Sequence, residues 1–496
     1  MEKLVSLCKR RGFVFQSSEI YGGFNGVWDH GPLGAELRNN IKKAWWEDYV
    51  YKRTDIVGLD SGILASPAVW KASGHLENFT DPLVECKNCH NRFRADHVDL
   101  QKNCPTCGKK DWTDVKQFNT MFKTFVGPVE EDASVAYLRP ETCQAIFVNF
   151  RLVQGAMRKK LPFGIAQVGK AFRNEITTGN FIFRLRELEQ MELEYFVRPD
   201  QAEAAFEELL GTSIDWLVAH GVRRSMLDLY EHPDTARAHY SSRTVDIMYE
   251  FPFGKSELQG VANRGNYDLT QHAKASGREL DYFDDETGEK LVPHVIEPSI
   301  GVDRSSLVFL LEAYDEEADK DGIRTVLRFH PRLAPVKVAV LPLVKKDPGL
   351  VALAQEIYAD LRGEMLVLYD ESGAVGRRYR RQDEIGTPYC ITVDGQSLED
   401  RTVTLRERDS MAQVRVPVNH ANIHTGPSTG NEVLVLAAKG TVMPMFGRRG
   451  EWLLVGLSPA MRNTGMVMRW YNNETSGWVH DSMVEFVTPE PKPGAK

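Results

Sequence analysis

A chain of 496 residues is too long to fold around one core, so we expect roughly two to four domains, each able to bury its own interior. The composition is that of an ordinary soluble globular protein. The formal net charge of −8 argues against broad electrostatic binding of nucleic acid, although a folded RNA can still dock on a local basic face.

The apolar segments and the cysteines indicate the compartment. No run reaches the roughly 18 consecutive apolar residues that cross a bilayer, and residues 1–15 lack the apolar centre of a secretory signal. Seven cysteines, four of them in paired hooks, suit a reducing compartment better than a disulfide framework. We therefore predict a cytoplasmic protein with no membrane partner.

The first long element is a helix that opens near Gly34. Residues 21–46, YGGFNGVWDHGPLGAELRNNIKKAWW, pass from a glycine-rich turn into this helix, with Pro32 just ahead of it. Taken alone, the segment indicates a loop and a surface helix.

Two cysteine hooks follow, each with two residues between its cysteines and with fourteen residues between the hooks. The four residues are Cys86, Cys89, Cys104 and Cys107. Four thiolates at this spacing satisfy tetrahedral zinc and leave no open position, so the spacing predicts a structural Zn²⁺ site and not a catalytic one. Unmetallated thiols are the alternative.

Residues 171–196, AFRNEITTGNFIFRLRELEQMELEYF, alternate between polar and apolar side chains. Two antiparallel strands joined by a loop around residues 178–180 would place a polar face over an apolar backing. Guanidinium groups on that face can grip phosphate oxygens, beside carboxylates suited to an ammonium or an adenine amino group. The polar face would carry Arg173 and Glu175 from the first strand and Arg184, Leu188 and Glu192 from the second.

A helix is the alternative for the same residues. Leu185, Leu188, Met191 and Tyr195 also repeat at helical spacing, with Glu and Arg between them as a solvated face. Periodicity alone leaves the choice open.

Two further segments lead toward the middle of the chain. Residues 199–221 have the pattern of an amphipathic helix. Residues 239–272 alternate as strands do, with turns predicted at 252–254 and 263–266.

The second half begins with a buried strand and an apolar helix over residues 295–311, separated by a break at Gly301. An acidic loop at 315–321 comes next. Residues 335–416 then alternate between strand and helix in an α/β pattern, and the remainder has the short strands and glycine turns of an all-β unit.

The run F-R-N-E, a loop, and R-L-R-E-L-E-Q-M-E resembles the second signature motif of class II aminoacyl-tRNA synthetases, in the glycyl-tRNA synthetase version. The resemblance decides for the hairpin. It implies that Arg173 holds the α-phosphate of ATP, Glu175 reads the adenine amino group and Arg184 holds the γ-phosphate. Leu188 stands where the family commonly has an aromatic ring that stacks on adenine.

Two earlier segments resemble parts of the same family. Residues 26–34, GVWDHGPLG, are similar to its first motif, which builds a two-fold interface and so implies a homodimer. Residues 92–96, RFRAD, are similar to a segment whose second arginine, here Arg94, reaches the substrate pocket.

The glycine pocket is implied by residues 138–144, LRPETCQ, which resemble the family's LRPETAQ with Cys143 in place of a smaller residue. Glu141 would bind the glycine ammonium, because carboxylates are its natural partners. The alternative is a helix N-terminus capped near Glu141 and Thr142.

The family resemblance continues into the third motif. The block at 239–272 departs from the family's at Lys255 and Asn266, which replace tryptophan and aspartate. In residues 295–311, Arg304 would cover the adenine and the γ-phosphate, while Glu297 and Ser299 complete the glycine pocket.

The resemblance thus implies sets of site residues. The expected catalytic residues are Arg173, Arg184 and Arg304. The expected ATP-binding residues are Arg173, Asn174, Glu175, Phe183, Arg184, Leu185, Arg186, Glu187, Leu188, Glu257, Leu258, Gly301, Val302, Asp303 and Arg304. The expected glycine-binding residues are Arg94, Glu141, Leu188, Glu189, Gln190, Met191, Glu192, Glu297, Pro298, Ser299, Ile300 and Gly301.

The expected fold is α+β: a class II antiparallel sheet flanked by helices, a zinc-ribbon insertion, an α/β anticodon-binding domain and a small SH3-like barrel. The expected boundaries are 1–330 for the catalytic domain, with the ribbon at 84–112 and a helical insertion at 199–236, then 331–416 and 417–488. The helical insertion serves either for packing or for tRNA contact.

The implied function is ATP-dependent attachment of glycine to tRNA(Gly) through a glycyl adenylate, with Mg²⁺ accompanying ATP. Four arginines at positions 377, 378, 380 and 381 are the candidates for RNA phosphate contact, against an ordinary solvated surface. Rival functions are a non-catalytic synthetase paralogue acting as an accessory subunit, and an amino-acid ligase acting on a carrier protein. The SH3-like barrel has no assigned partner.

Overall fold

A computed structural model describes residues 1–131, 134–235, 237–238, 240–319, 322–417, 420–428, 431, 433–438, 443–457 and 475–484. The chain forms two compact units, Met1–Tyr314 and Asp315–Lys496. Each unit has its own apolar core.

The first unit mixes helices and strands. Its helices are α1 (Glu2–Arg11), α2 (Pro32–Trp46), α3 (Pro67–Ala72), α4 (His75–Asn78), α5 (Cys143–Met157), α6 (Ala202–Ala219), α7 (Tyr267–Ser276) and α8 (Val302–Ala313). Its strands are β1 (Val14–Gln16), β2 (Trp28–His30), β3 (Ile56–Gly58), β4 (Leu64–Ala65), β5 (Thr80–Glu85), β6 (Arg92–Arg94), β7 (Lys116–Asn119), β8 (Lys123–Phe125), β9 (Val135–Leu138), β10 (Phe163–Phe172), β11 (Glu187–Val197), β12 (Leu227–Glu231), β13 (Arg243–Phe251), β14 (Gly254–Gly265), β15 (Tyr282–Asp284), β16 (Glu289–Leu291) and β17 (His294–Gly301).

The centre of this unit is a seven-stranded sheet in the order β12-β13-β14-β17-β11-β10-β3. Its strands pair antiparallel except β3, which runs parallel to β10. β11 lies between β10 and β17, so its backbone is bonded on both sides. Residues 190–197 of β11 are buried on both faces, so the polar side chains among them, Gln190, Glu192 and Glu194, lie inside the protein.

The side chains of β11 alternate between two environments. Phe196 packs on Phe150 of α5, with ring centroids 4.6 Å apart, so the even-numbered side chains of the strand face α5. The odd-numbered side chains face the opposite side of the sheet. This alternation separates Glu192 from Glu189 although the two residues are close in sequence.

The hairpin predicted for residues 171–196 is confirmed in its pairing, because Ala171 lies opposite Leu188 and Gln167 opposite Glu192. The helical alternative is wrong. The strands stop earlier than the alternation indicated, since β10 ends at Phe172 and β11 begins at Glu187. Arg173, Glu175 and Arg184 therefore lie on the connecting loop and not on a strand face.

Two other expectations need correction. After β14 the chain forms helix α7, where a further strand was predicted beyond the turn at 263–266. Helix α6 packs on β14 and β17, so residues 202–219 belong to the central core and not to a separate insertion. The packing alternative for that helix is thus favoured. His239, at the start of the predicted strand block, lies outside the described residues.

The second unit begins with a hairpin and continues as α/β. Its helices are α9 (Pro348–Leu361), α10 (Val375–Ile385) and α11 (Gly395–Asp400). Its strands are β18 (Tyr314–Asp319), β19 (Gly322–Leu327), β20 (Val338–Pro342), β21 (Val367–Tyr369), β22 (Tyr389–Val393), β23 (Thr402–Glu407), β24 (Gln413–Pro417), β25 (His420–His424), β26 (Val433–Ala438), β27 (Met445–Arg449), β28 (Trp452–Gly456) and β29 (Ser476–His480).

The expected acidic loop is strand β18, which pairs with β19. Arg324 of β19 is fully buried, and its Nε donates to Asp383 of α10 at 2.9 Å. This buried pair holds the hairpin to the second unit, so the boundary falls after Tyr314 and not at residue 330.

Besides the β18–β19 hairpin, the described part of the second unit contains two five-stranded sheets. One has the order β21-β20-β22-β23-β24, with β20 parallel to both of its neighbours, and its core includes α9. The other has the order β26-β25-β29-β28-β27 and encloses a separate apolar cluster. Parts of the predicted barrel, residues 458–474 and 485–488, lie outside the described residues.

The arginine cluster expected to contact RNA is mostly occupied inside the second unit. Arg378 is 2% exposed and donates to backbone carbonyls, among them Gly373 at 3.1 Å. Arg380 pairs with Asp383, and Arg381 pairs with Asp370 at 2.6 Å. Arg377 is the exposed member of the cluster.

Among the described helices, none combines the length and the apolar character needed to span a bilayer.

Candidate active site

Glu192 lies at the centre of a buried acidic pocket on the α5 side of the sheet. Its Oε2 accepts the backbone N–H of Thr142 at 2.9 Å and the hydroxyl of the same residue. Its Oε1 accepts Ser299 Oγ at 2.7 Å and Gln190 Nε2 at 2.9 Å. Burial, and then the charge of Glu141, raises the pKa of Glu192.

Glu141 lies beside Glu192, just before the first residue of α5. Its Oε1 is 3.1 Å from His75 Nε2 and 2.8 Å from Cys143 Sγ. Although burial opposes ionisation, the charge and hydrogen bond of His75 hold the pKa of Glu141 well below its ordinary value. The helix-capping alternative is wrong, since the Thr142 hydroxyl donates to Glu192 and does not cap α5.

A buried arginine balances part of this negative charge. Arg264 is 1% exposed, and its Nη1 donates to Glu297 at 2.9 Å. Its Nε and Nη2 donate to the two carboxylate oxygens of Asp268, at 2.7 and 2.9 Å. Burial raises the pKa of Glu297 to about 8, with Arg264 opposing the shift and the neighbouring glutamates adding to it.

Glu194 lies on the same face of β11 and has no exposed surface. Neither of its carboxylate oxygens has a hydrogen-bond partner among the described residues. Burial, and then the charge of Glu297, raises the pKa of Glu194 well above its ordinary value. Burial without a partner thus favours the neutral form of this carboxyl group, because an unpaired carboxylate is costly in the core.

The predicted phosphate-binding arginines lie on or against the loop at 173–186. Arg173 donates from Nε to the Pro140 carbonyl at 3.0 Å, and its charge acts on Glu192. Arg304 donates from Nη1 to the Glu257 carbonyl at 2.9 Å.

Arg304 also reaches this loop through an aromatic ring. Its guanidinium lies 4.4 Å from the ring centroid of Phe183, the residue before Arg184. Arg184 is partly exposed and forms no ion pair with any residue that the structure describes. Arg304 and Arg184 thus lie near one loop segment, and Arg173 lies close enough to the acidic pocket for its charge to act on Glu192.

Asp303 and Glu189 do not belong to this pocket. Asp303 accepts His30 Nε2 at 3.0 Å and the Glu189 N–H at 3.0 Å, and it also pairs with Arg38 of α2. Glu189 pairs with Arg38 at 2.7 Å and with Lys42 at 3.1 Å. Their carboxylates are bound by residues of α2 and β2, whereas the sequence predicted that Asp303 binds ATP and Glu189 binds glycine. The Glu189 carboxylate faces α2 because this residue lies on the odd-numbered face of β11.

Several other predicted residues have side chains that pack in the core or bind other parts of the protein. Met191, Leu258, Ile300 and Val302 are at most 2% exposed, and Leu185 is 6% exposed, so their apolar side chains belong to the core. Arg186 donates to the carbonyls of Asn25 and Glu175, and Glu187 pairs with Lys170 at the start of the hairpin.

The remaining predicted residues lie on strands or loops around the pocket. Leu188 pairs with Ala171, Pro298 with Val261 and Gly301 with Gln190. The Asn174 N–H donates to the Thr120 carbonyl at 2.7 Å. Arg94 pairs with Asp81 and Asp96, and its charge acts on that of Glu175.

Sequence reasoning missed the polar groups that support the acids. His75, Arg264 and Asp268 contact pocket carboxylates directly or through one another, and Gln144 joins Glu141 to Asp268. Arg264 and Asp268 lie within the block at 239–272. Their opposite charges, four residues apart, were the sequence signal that could have identified them as a pair. A lone histidine outside every motif gave no signal for His75.

The four cysteines of the two hooks meet at one point. Cys86 Sγ lies 3.6 Å from Cys107 Sγ, Cys89 Sγ lies 3.7 Å from Cys104 Sγ, and all four sulfur atoms are within 4.8 Å of one another. A tetrahedral zinc ion with bonds of about 2.3 Å separates its sulfur ligands by about 3.8 Å. A backbone N–H from Lys109 lowers the pKa of Cys107 to about 6, which favours the thiolate. The donor set therefore fits zinc.

Two known protein families match parts of this chain. Residues 125–314 match the family described as "tRNA synthetase class II core domain (G, H, P, S and T)", and residues 337–422 match "Anticodon binding domain". The glycine–tRNA ligase of Treponema denticola is 56% identical over 427 residues, which cover 84% of this chain and 94% of that protein. The glycine–tRNA ligase of Thermobifida fusca is 52% identical and covers 84% and 96%. This chain belongs to the glycine–tRNA ligase family.

Members of the glycine–tRNA ligase family are class II synthetases, so the chain is an enzyme that charges tRNA with glycine and uses ATP with Mg²⁺. The same ligase from Borreliella burgdorferi is 54% identical over 424 residues, covering 84% of this chain and 95% of that protein. The alternatives of an accessory subunit and a carrier-protein ligase find no support in these relatives.

The crystal structure of prolyl-tRNA synthetase from Cryptosporidium parvum, complexed with L-proline and AMP, resembles this glycine–tRNA ligase in fold. The TM-score is 0.55 at 15% identity, over 84% of this chain and 74% of that one. At that identity the likeness concerns the fold alone.

Replacing Asp303 tests whether the α2 network positions the start of α8. We expect Asp303→Asn to lower the free energy of unfolding by about 3 kcal/mol, because Arg38 then keeps a buried charge with one partner fewer. We also expect the KM for ATP to rise, since Arg304 is the next residue. Thermal unfolding and pyrophosphate-exchange kinetics measure the two effects. Asp200→Asn, which removes an exposed carboxylate, is the control. Unchanged stability and KM in the Asp303 variant would show that the network positions nothing.

Proposed function

We propose that the buried acidic pocket binds the ammonium group of glycine and that the neighbouring arginines bind ATP. The glycine carboxylate would then attack the α-phosphorus of ATP and release pyrophosphate. In the second step, a terminal ribose hydroxyl of tRNA would attack the carbonyl carbon of the glycyl adenylate and release AMP. The enzyme contributes positioning and charge stabilisation, with no covalent intermediate.

The observation that carries this proposal is the arrangement of Glu141, Glu192 and Glu297. The three are at most 8% exposed, and each is held by donors from other elements. Carboxylates cost free energy when buried, so a fixed group of them favours a cationic ligand. An ammonium group with three N–H donors fits that demand.

Discrimination would follow from exclusion. Glycine differs from other amino acids only in lacking a side chain, so the enzyme can reject larger substrates by steric collision. Ser299 and Gln190 are both bonded to Glu192. These two held side chains would collide with any substrate side chain larger than that of glycine.

Phe183 and Arg304 support the proposed nucleotide site. Phe183 packs against Phe251 and Phe253 on one side, with centroids 5.0 Å away in each case, and against Arg304 on the other. An aromatic face and a guanidinium are both suitable partners for adenine. We propose that Phe183 supplies the stacking surface that Leu188 lacks, and that Arg304 moves aside to admit the base.

The proposed ammonium site is tested by glycine-dependent pyrophosphate exchange with Glu192→Gln. We expect the KM for glycine to rise about 30- to 100-fold, because one charge-assisted contact is lost, while the KM for ATP changes little. Glu286→Gln, which alters an exposed glutamate paired with Lys160, is the matched control. A glycine KM that stays at the wild-type value would show that Glu192 does not bind glycine and would contradict the proposal.

We also propose that the cysteine cluster holds a structural Zn²⁺ through Cys86, Cys89, Cys104 and Cys107, bracing the three-stranded sheet of β6, β5 and β7. The ion would stabilise this ribbon and take no part in the reaction, because four thiolates leave no open position.

Zinc removal tests that assignment. Atomic emission should find about one zinc per chain, since the cluster offers one complete ligand set. Cys107→Ser should lose the metal and lower the unfolding temperature, whereas Cys390→Ser, which changes a buried cysteine of the second unit, should keep it. Full zinc content in the Cys107 variant would contradict the site.

A homodimer is the third part of the proposal. The turn between β1 and β2 exposes Ile20 (87%), Tyr21 (86%) and Phe24 (57%), directly before α2. Contiguous apolar side chains at such exposure mark an interaction surface.

Sedimentation velocity tests the dimer. We expect a particle of twice 56.1 kDa, and we expect Tyr21→Asp with Phe24→Asp to shift it toward the monomer, because charges at that surface oppose association. Val129→Asp, at another exposed apolar position, is the control. A wild-type monomer at micromolar concentration would contradict the proposal.

The described strands β25 to β29 support an SH3-like barrel at the C-terminal end, without indicating a partner for it.

A further inference from the structure

His75 is a buried histidine that none of the sequence motifs includes. It is 5% exposed and lies between Trp70 and Phe79, with ring centroids 5.5 and 5.4 Å away. Its Nε2 is 3.1 Å from Glu141 Oε1, and its Nδ1 is 2.7 Å from Ser73 Oγ. Both ring nitrogens therefore have a fixed partner.

The two partners determine where the imidazole carries a proton. A carboxylate only accepts hydrogen bonds, so Nε2 must donate to Glu141. Ser73 can accept from or donate to Nδ1, which satisfies both the charged and the neutral ring. The contact with Glu141 is a hydrogen bond from His75 in either state.

His75 is one of three donors to the same oxygen of Glu141. Cys143 Sγ donates to Oε1 at 2.8 Å and Gln144 Nε2 at 3.2 Å. No donor from the described residues reaches Oε2, and the Glu141 side chain keeps 9% of its exposure. One carboxylate oxygen is thus saturated by the protein while the other is left for a ligand.

We infer that His75 is a positioning residue for the substrate ammonium, because its hold on Oε1 turns Oε2 of Glu141 toward glycine. The inference rests on the proposed role of Glu141 in binding glycine. His75 itself touches neither glycine nor ATP. Its effect is orientational, and a small misplacement of a binding group can cost a large part of the affinity.

Two variants separate the hydrogen bond from the packing of the ring. His75→Phe keeps an aromatic ring between Trp70 and Phe79 but has no donor for Glu141. His75→Gln retains an N–H donor with a similar reach. We expect the KM for glycine in pyrophosphate exchange to rise about 10- to 30-fold in the Phe variant, and clearly less in the Gln variant, with the KM for ATP unchanged.

Inhibition by glycolate distinguishes positioning from a general loosening of the pocket. Glycolate has the carboxylate and the size of glycine but an uncharged hydroxyl in place of the ammonium group, so its binding depends much less on Glu141. We expect its inhibition constant to stay within about twofold in both variants, because the lost hydrogen bond affects only the ammonium contact. A parallel loss of glycine and glycolate binding would overturn the inference in favour of a structural role. His480→Phe, which alters a second imidazole–carboxylate pair at Glu451, is the control.

Glu141→Gln makes failure of the inference distinct from failure of the proposed function. A raised glycine KM in Glu141→Gln together with a normal one in both His75 variants would overturn the positioning role alone. A normal glycine KM in Glu141→Gln would overturn the role of Glu141 and everything that rests on it. If His75→Phe unfolds, the comparison of His75→Gln with Glu141→Gln still decides.

Discussion

Charge balance in the buried pocket is the constraint on which the site depends. Several carboxylates lie on one side of the central sheet, and Arg264, at 1% exposure, is bonded to two of them. Removing carboxylates from water is unfavourable unless each is paired, hydrogen-bonded or protonated. Asp268 is paired with Arg264, Glu192 is hydrogen-bonded, and burial raises the pKa of Glu194, which favours its neutral form. Under the proposed function, the negative charge that remains favours a cationic substrate.

The two faces of β11 carry acidic side chains with different partners. The even-numbered face carries Gln190 and Glu192 toward α5 and the pocket. The odd-numbered face carries Glu189 toward Arg38 of α2, where Asp303 is also bound. One strand therefore joins α2 to the start of α8, the helix that carries Arg304.

The sequence predicted the cysteine cluster from its spacing. It predicted the hairpin, and Glu141 and Glu192 as pocket residues, only through the family resemblance, because periodicity left helix and hairpin open. It did not allow the roles of Asp303 or His75 to be predicted. Asp303 lies next to Arg304 in the third motif, yet its side-chain partners, Arg38 of α2 and His30 of β2, are more than 260 residues away. The role of His75 depends on its contact with Glu141, and only the fold brings the two residues together. Contacts of this kind depend on tertiary packing, which short-range periodicity does not encode.

The most direct test of this account is a crystal structure with a non-hydrolysable glycyl-adenylate analogue. The account predicts the ammonium nitrogen within about 3 Å of carboxylate oxygens from Glu141, Glu192 and Glu297, the normal length of such a hydrogen bond. It also predicts that Glu141 uses Oε2 for this contact while His75 keeps Oε1. An ammonium group bound elsewhere, with the three glutamates bonded only to the protein, would contradict it.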